Sequence, residues 1–277
     1  MKTIIYLFIA ICISGIFALG CPAQKHSPEN IIIRSLNKQA TPTALLQSAN
    51  IISKRLNSFC PDHFKVSIMD KTKEIKISWP GNDDIKIIEQ LATQKGVLAF
   101  YTVYPGNDVL EFIHGDRYLD SLLKRDKMDG GIGYAPYTEV NAIDHYLNTH
   151  NTVQQCRFVW GTVKRDSVVT LYALTAEPVI TKNDIKTIQY KQDVSGYNLN
   201  IVLHKSAIEK WKATTKASIH QPIAIVLDNQ VLYAPVIKTE IDNGRCSISG
   251  KFKQPEVRSF KAIGDNGVLP LNLQVVK

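Results

Sequence analysis

Apolar residues recur along this chain with two periods, and segments of the two kinds alternate. Leu45, Leu46, Ala49, Ile52 and Leu56 recur at the spacing of one helical face. Thr41-Pro42 precedes them, a hydroxyl N-cap followed by a proline in the first turn, so a helix is expected from there to Phe59-Cys60-Pro61. Asn30 to Leu36, rich in β-branched residues, reads as a strand before it. Phe64, Val66 and Ile68 alternate with polar residues, and Ile75, Ile77 and Trp79 repeat the alternation after a polar Asp70-Lys71-Thr72-Lys73 turn, which predicts a hairpin. Pro80-Gly81-Asn82-Asp83 ends it. Ile85, Ile88, Leu91 and Ala92 then mark a second helix, with Gly96 as its expected stop and Val97 to Val103 as the next strand.

The order strand, helix, strand, strand, helix, strand buries its apolar faces most simply as an antiparallel sheet with both helices on one face, a ferredoxin-like arrangement. Residues 105–155 are less periodic, with a short helix expected over Asp144 to Asn151. Phe158 to Trp160 and Ser167 to Leu174 read as strands around a polar Lys164-Arg165-Asp166 turn. Further on, Thr181 to Ile188 suits a short capped helix and Leu199 to Leu203 a strand. Ser206 to Ala217 reads as a helix with a capping-box spacing from Ser206 to Glu209. Ile223 to Leu227 and Val231 to Ile237 form an expected hairpin across Asp228-Asn229. Cys246 to Ser249 is a short strand, Pro255 to Ile263 a helix, and Leu269 to Val276 the last strand. The fold class is therefore α+β, a ferredoxin-like base with an inserted or following α/β subdomain and mostly antiparallel sheets.

The amino terminus changes the picture. Met1-Lys2-Thr3 gives a positive start, Ile4 to Gly20 carries no charge, and Cys21-Pro22-Ala23 follows. This is the layout of a secretory signal, too short for a comfortable span of roughly 20 residues. Ala18-Leu19-Gly20-Cys21 also fits a bacterial lipoprotein signal in which Cys21 becomes the lipidated first residue, although Ala18 stands where leucine is usual. Plain cleaved export and an uncleaved anchor are the alternatives. Residues 1–20 are thus read as signal peptide and 21–30 as a polar tether. No later segment reads as a membrane span: Ile219 to Ile237 is interrupted by Asp228, Asn229 and two prolines.

Composition excludes more than it selects. Of 277 residues, 44% are hydrophobic and 21% charged, the balance of an ordinary globular protein. The net charge of +8 comes from scattered lysines. That pattern argues against a nucleic-acid partner and leaves attraction to an anionic membrane surface open. Five cysteines are present, and their spacings fit no zinc pattern. With Cys12 in the signal and Cys21 lipidated, Cys60, Cys156 and Cys246 allow three choices of a single disulfide or remain buried thiols.

Candidate chemistry is sparse. His145 and His150, beside Asp144, are five apart and do not share a helical face as a metal pair would. Asp83, Asp84 and Glu89 fall in the first turns of a helix, where negative charge complements the dipole. Asp129-Gly130-Gly131-Ile132-Gly133 lacks the strand-to-helix setting of a phosphate loop and reads as a flexible turn. There is no Gly-x-Ser-x-Gly elbow, and neither Cys156 nor Cys246 has a nucleophile's surroundings in sequence. No catalytic, cofactor or metal residue is assigned. Phe112, Tyr134 and Tyr137 are candidates for contact with a polypeptide, or for packing the insertion down.

Two stretches resemble the SecD/SecDF protein-export family. Ile51-Ile52-Ser53-Lys54-Arg55-Leu56-Asn57, then Ile75 to Gly81, then Gly96-Val97-Leu98-Ala99-Phe100 resemble the opening of the first periplasmic domain of SecD. There, an arginine-containing helix leads to a strand closing in Leu-Pro-Gly and later to a Leu-Glu-Phe strand; Trp79 and Ala99 depart from that pattern. Ala224 to Asn229, Ala234-Pro235, Ile241 to Gly244, Ile248 to Phe252 and Gly267 to Pro270 are similar, in order and spacing, to the family's head region and its return to the membrane. Thr181 to Asp184 resembles the start of that head, and Phe158 to Leu174 resembles the fused SecDF proteins. The structural motif positions are Pro80, Gly81, Asp228, Asn229, Pro235, Gly244, Gly250, Gly267 and Pro270. The resemblance divides the chain into a base over 31–105, an insertion and head over 106–249, and an end of head or return to base over 250–277.

The resemblance implies capture of unfolded or translocating polypeptide at the periplasmic face, near SecYEG or another envelope complex, with the head moving relative to the base. Proton-driven pulling, which the family places in transmembrane helices, is not expected of this chain. A membrane contact only through the amino-terminal anchor is expected, with no cofactor. The rival expectation is a structural or docking envelope lipoprotein that reuses the fold. Cys21→Ser is expected to release the protein from the membrane fraction and to remove a diacylglyceryl-sized mass from the mature chain.

Overall fold

The computed structural model describes residues 29–276 except 82, 105–106, 125–129, 151–152, 154, 164–166 and 195. The signal, Cys21 and most of the tether lie outside the described residues, as do Asp129 and the Lys164-Arg165-Asp166 turn. The elements are β1 (Glu29–Ser35), α1 (Pro42–Phe59), β2 (Lys65–Met69), β3 (Glu74–Trp79), α2 (Ile85–Thr93) and β4 (Leu98–Thr102). There follow α3 (Asn107–Gly115), α4 (Arg117–Leu122), β5 (Gly133–Pro136), α5 (Val140–His150), β6 (Cys156–Trp160) and β7 (Val168–Thr175). The remainder is β8 (Ile180–Thr181), β9 (Ile185–Asp193), β10 (Gly196–Leu203), α6 (Lys205–Ala217), β11 (Ile223–Leu227), β12 (Gln230–Tyr233), β13 (Arg245–Phe252), α7 (Gln254–Asp265) and β14 (Leu273–Val275).

The base has the expected α+β form, with one strand exchanged. Its sheet runs β14-β1-β3-β2, antiparallel throughout. The edge beside β1, where a self-contained unit would place β4, is occupied by the last strand of the chain. β4 instead pairs with β11 and β8 in a second sheet of order β12-β11-β4-β8. The physical reason is burial. Leu98 and Phe100 face the main core, while Ala99 and Tyr101 on the opposite side belong to a second cluster. A strand apolar on both faces needs cover on both faces, and β11, buried at every residue, is its matched neighbour.

Two smaller sheets complete the chain, β13-β10-β9 and β5-β7-β6. The second touches the β4 sheet through single bridges at each side, Val103 to Leu174 and Gly161 to Val231. Between them Ala99, Tyr101, Val159, Tyr172, Leu174, Ala224, Val226 and Val231 form a small shared core. The insertion has its own core, in which Val109, Ile113, Leu119, Ile143 and Leu147 from α3, α4 and α5 meet Leu171 and Ala173 of β7. The main core runs from Ile31 to Leu273 without a break between the base and the later elements. Helix α7 packs on α1 and α2 and also on β9 and β10. Residue 250, where the sequence reading divides head from return, lies inside β13.

Several local expectations change. Thr181 does cap, donating from its hydroxyl and backbone N–H to Asp184 (2.8 Å each), yet the turn stops as a 3-10 turn over Lys182–Asp184. Ile185 to Ile188 then continue as β9 rather than helix, because β10 supplies a full antiparallel partner. Ser206 is not the cap of α6; His204 holds that position without a side-chain bond. Gly96 is not a helix stop, since α2 ends at Thr93. Its positive φ of 90° serves a turn three residues on. The Asp228-Asn229 turn forms as expected, with both residues at positive φ (51° and 64°), the geometry of a two-residue hairpin loop.

Candidate functional site

The most constrained place in the molecule is a buried arginine. Arg55 lies on α1, is fully buried, and donates to the carbonyls of Leu91 (3.2 Å), Gln94 (2.5 Å), Lys95 (2.9 Å) and Gly267 (2.7 Å). Burial draws its pKa down to about 10 while the nearby Asp228 carboxylate works in the other direction, so the guanidinium is charged at neutral pH. Asp228 in turn accepts from the backbone N–H groups of Gly96 (2.8 Å) and Val97 (2.7 Å). One cluster thus ties α1, the end of α2, the tip of the β11–β12 hairpin and the return toward β14. Gly96 is required there: a Cβ on it would lie 2.3 Å from an Arg55 nitrogen, apart from the cost of its φ. Sequence reading used Arg55 only as part of a family-like run. Its partners are backbone carbonyls up to 212 residues away, and these leave no trace in the pattern of side chains.

A groove of about 280 Å3 lies beside β12 and β13. Each strand is outermost in its own sheet. The groove is lined by residues 231–235 on one side and by Ile248 and Ser249 on the other, with Gly161, Thr162, Thr170 and Tyr172 completing it, and no lining residue carries a formal charge. Burial, with Glu256 nearby, pushes the Tyr233 hydroxyl up to about 12, so it stays neutral. Edge strands, hydroxyls and apolar side chains together suit an extended peptide better than an ionic ligand.

The structure scatters the three aromatic candidates. Phe112 is half-buried against the insertion core, 6.4 Å from Phe158. Tyr134 is half-buried in β5, bridged to Lys124. Tyr137 follows β5 and is 59% exposed. Of the motif positions, Gly244 takes a φ of 63°, and Gly250 sits where the β10–β13 register breaks between Tyr197 and Leu199. Gly81 and Gly267 also take positive φ, and the Pro235 carbonyl accepts from Ile223 just past β12. Pro80 and Pro270 are exposed.

Among the described residues no group of three metal-binding side chains occurs. Asp144 accepts from the Trp160 indole (2.7 Å) and His150 stacks on Tyr146 at 4.0 Å. The glycines expected as a flexible turn are close-packed instead: a Cβ on Gly130 would meet Pro222 at 2.2 Å, and one on Gly131 would meet Thr170 at 2.2 Å. Cys156 and Cys246 are free and buried, and burial pushes their thiols up to about 11 and about 12, which makes them poor nucleophiles. Cys60 is disulfide-bonded, its partner outside the described residues.

A base, an insertion and a second α/β lobe meet around a buried cation, and an uncharged groove opens beside β12 and β13. Residues 161–271 match the family model of the SecDF P1 head subdomain. The protein translocase subunit SecD of Aquifex aeolicus is 38% identical over 101 residues, 36% of this chain and 20% of that protein. SecD of Sebaldella termitidis is 30% identical over 100 residues, 36% of this chain and 25% of that protein. A solved SecDF in a super-membrane-facing form has a TM-score of 0.55 at 19% identity, over 90% of this chain and 29% of that one. A second, described as a membrane component SecDF that enhances protein export, has a TM-score of 0.51 at 18% identity, over 90% of this chain and 98% of that one. Residues 161–271 thus match a SecDF P1 head subdomain, and the described chain as a whole shares the fold of the SecDF periplasmic domain. Its match spans about a fifth of the Aquifex relative and a quarter of the Sebaldella one.

No helix among the described residues is long and apolar enough to cross a membrane. Arg55→Met, which leaves four carbonyls without their donor, is expected to lower stability by about 3 kcal/mol or more in urea unfolding. Gly96→Ala is expected to lower it in the same direction, because it strains the turn and displaces the guanidinium. An Arg55→Met variant as stable as the parent would remove this cluster from its central place.

Proposed function

We propose that this chain is an accessory module of protein export that holds extended segments of unfolded or translocating polypeptide at the periplasmic face. The observation that carries the proposal is the head-subdomain match over 161–271, with the uncharged groove between two strand edges falling inside that range. An extended segment binds there by pairing with the outer edge of β13 and by seating apolar side chains against Leu232 and Tyr233, since β12 is already bridged to Gly161 at Val231. The binding needs no catalytic step, and the proposal includes none. SecYEG or another envelope complex is the proposed neighbour, and a lipid on Cys21 the proposed anchor. The mass of the mature protein tests whether Cys21 carries that lipid.

A docking lipoprotein is the second reading. It is favoured by the short reach of the match, which covers a minor part of each SecD relative named above. Crosslinking in the native host separates the two, with many unrelated clients on the first reading and one stoichiometric folded partner on the second.

Purified protein is expected to bind a permanently unfolded, carbamidomethylated protein and to slow aggregation of a refolding one. Ser249→Arg, which places bulk and charge at an exposed position in the groove wall, is expected to weaken that binding about tenfold without a change in thermal midpoint. Absence of binding by the parent protein would refute the proposal, and full binding by Ser249→Arg would move the site elsewhere.

A further inference from the structure

Two adjoining clefts lie away from this groove, of about 310 and about 420 Å3, and they share Arg157 and Asn229. Arg157 stands between them on β6. Its Nη1 donates to the Tyr101 hydroxyl (2.8 Å), its Nη2 donates to the Asn229 side-chain oxygen, and its carbon lies 5.0 Å from the Tyr101 ring centre. Both acceptors are neutral. Among the described residues no carboxylate forms an ion pair with Arg157. Lys95, on the wall of the smaller cleft, donates to a neutral acceptor too, Asn272 (3.2 Å).

The charge balance of the smaller cleft is therefore positive. Asp228 lines it, but its oxygens accept from Gly96 and Val97, and the buried Arg55 lies behind it as a compensating charge. Lys95 and Arg157 remain uncompensated. The other walls are apolar: Val97 is 45% exposed, and Ala99 and Val226 lie beside it. Beyond Arg157 the larger cleft continues past Leu147 and Phe158, where Asp144 is already engaged by Trp160.

We infer that the cleft at Arg157 binds a carboxylate carried on an extended peptide, a narrowing of the polypeptide-binding function proposed above, on which it rests. A guanidinium presents a planar fork that matches a carboxylate with two parallel hydrogen bonds, and here it is already oriented by Tyr101 and Asn229. The apolar wall of the smaller cleft, Val97 with Ala99 and Val226, fits a residue flanking that carboxylate and would be left wet by a bare inorganic anion. Sequence reading had no signal for this site, since a single arginine on a strand is ordinarily a solvated surface residue.

Fluorescence anisotropy with three labelled peptides tests it: alternating Val and Glu with an amidated end, the same with Gln for Glu, and the Gln peptide with a free carboxyl end. The Glu peptide or the free-carboxyl peptide, according to whether a side chain or a chain end is taken, is expected to bind about tenfold more tightly than the amidated Gln peptide. Added salt is expected to reduce that preference. Arg157→Gln is expected to abolish it with an unchanged thermal midpoint, and Arg157→Lys to keep part of it. Equal binding of all three peptides overturns the inference while leaving the polypeptide-binding proposal standing, and binding of none overturns the inference outright. A preference that survives in a folded Arg157→Gln or Arg157→Lys protein at full strength also overturns it. So does displacement of the Glu peptide by inorganic phosphate at lower concentration than by acetate.

Discussion

A guanidinium buried where α1, the end of α2, the β11–β12 hairpin and the return to β14 converge sets the geometry around it. Arg55 meets four backbone carbonyls and no carboxylate in direct contact. The four bonds meet Nη1 and Nη2 and leave the buried Nε without a partner, and removing such a centre leaves several buried acceptors unmet at once. Asp228 answers the charge from a short distance while holding Gly96 and Val97 by their N–H groups. The cluster therefore fixes where β4 starts, and β4 is the strand on which two cores meet.

The exchange of β4 for β14 follows from that arrangement. Once β4 has entered the sheet with β11, the edge beside β1 is open, and the chain's last strand fills it. The base sheet is thus completed by a strand that follows the head in the sequence. Helix α7 enforces the same unity, since it contacts α1 and α2 on one side and β9 and β10 on the other. Lys261 and Asp265 of α7 bond the carbonyl and N–H of Ile188 (2.7 and 2.9 Å), which both fixes the helix and blocks the middle of an otherwise open strand edge.

What could be read from the chain alone was whatever short-range periodicity carries. Helix α1, the β2–β3 hairpin, the doubly buried β11 and the Asp228-Asn229 turn all came from spacing and turn chemistry, and the structure has each of them. Strand β9 was hidden because Thr181 and Asp184 do form a helix-start motif; the choice after one turn depends on β10, which no local signal reports. The insertion helices α3 and α4 are short, at nine and six residues, too brief for periodicity to show. Arg55 and Arg157 were illegible as site residues for a common reason. An arginine reads as solvated until its surroundings are known, and these surroundings are assembled from distant segments.

Base and head, sharing one core and tied at Arg55, are expected to unfold as one cooperative unit. The protein carries its own reporters: Trp79 in the base and Trp211 on α6 are both buried, and Trp160 lies in the insertion. Urea unfolding followed by fluorescence, in one variant that keeps only Trp79 and another that keeps only Trp211, reads the two parts separately. Coincident transitions with equal slopes are expected. Two separated transitions, with the head unfolding while Trp79 remains in its native environment, would contradict it.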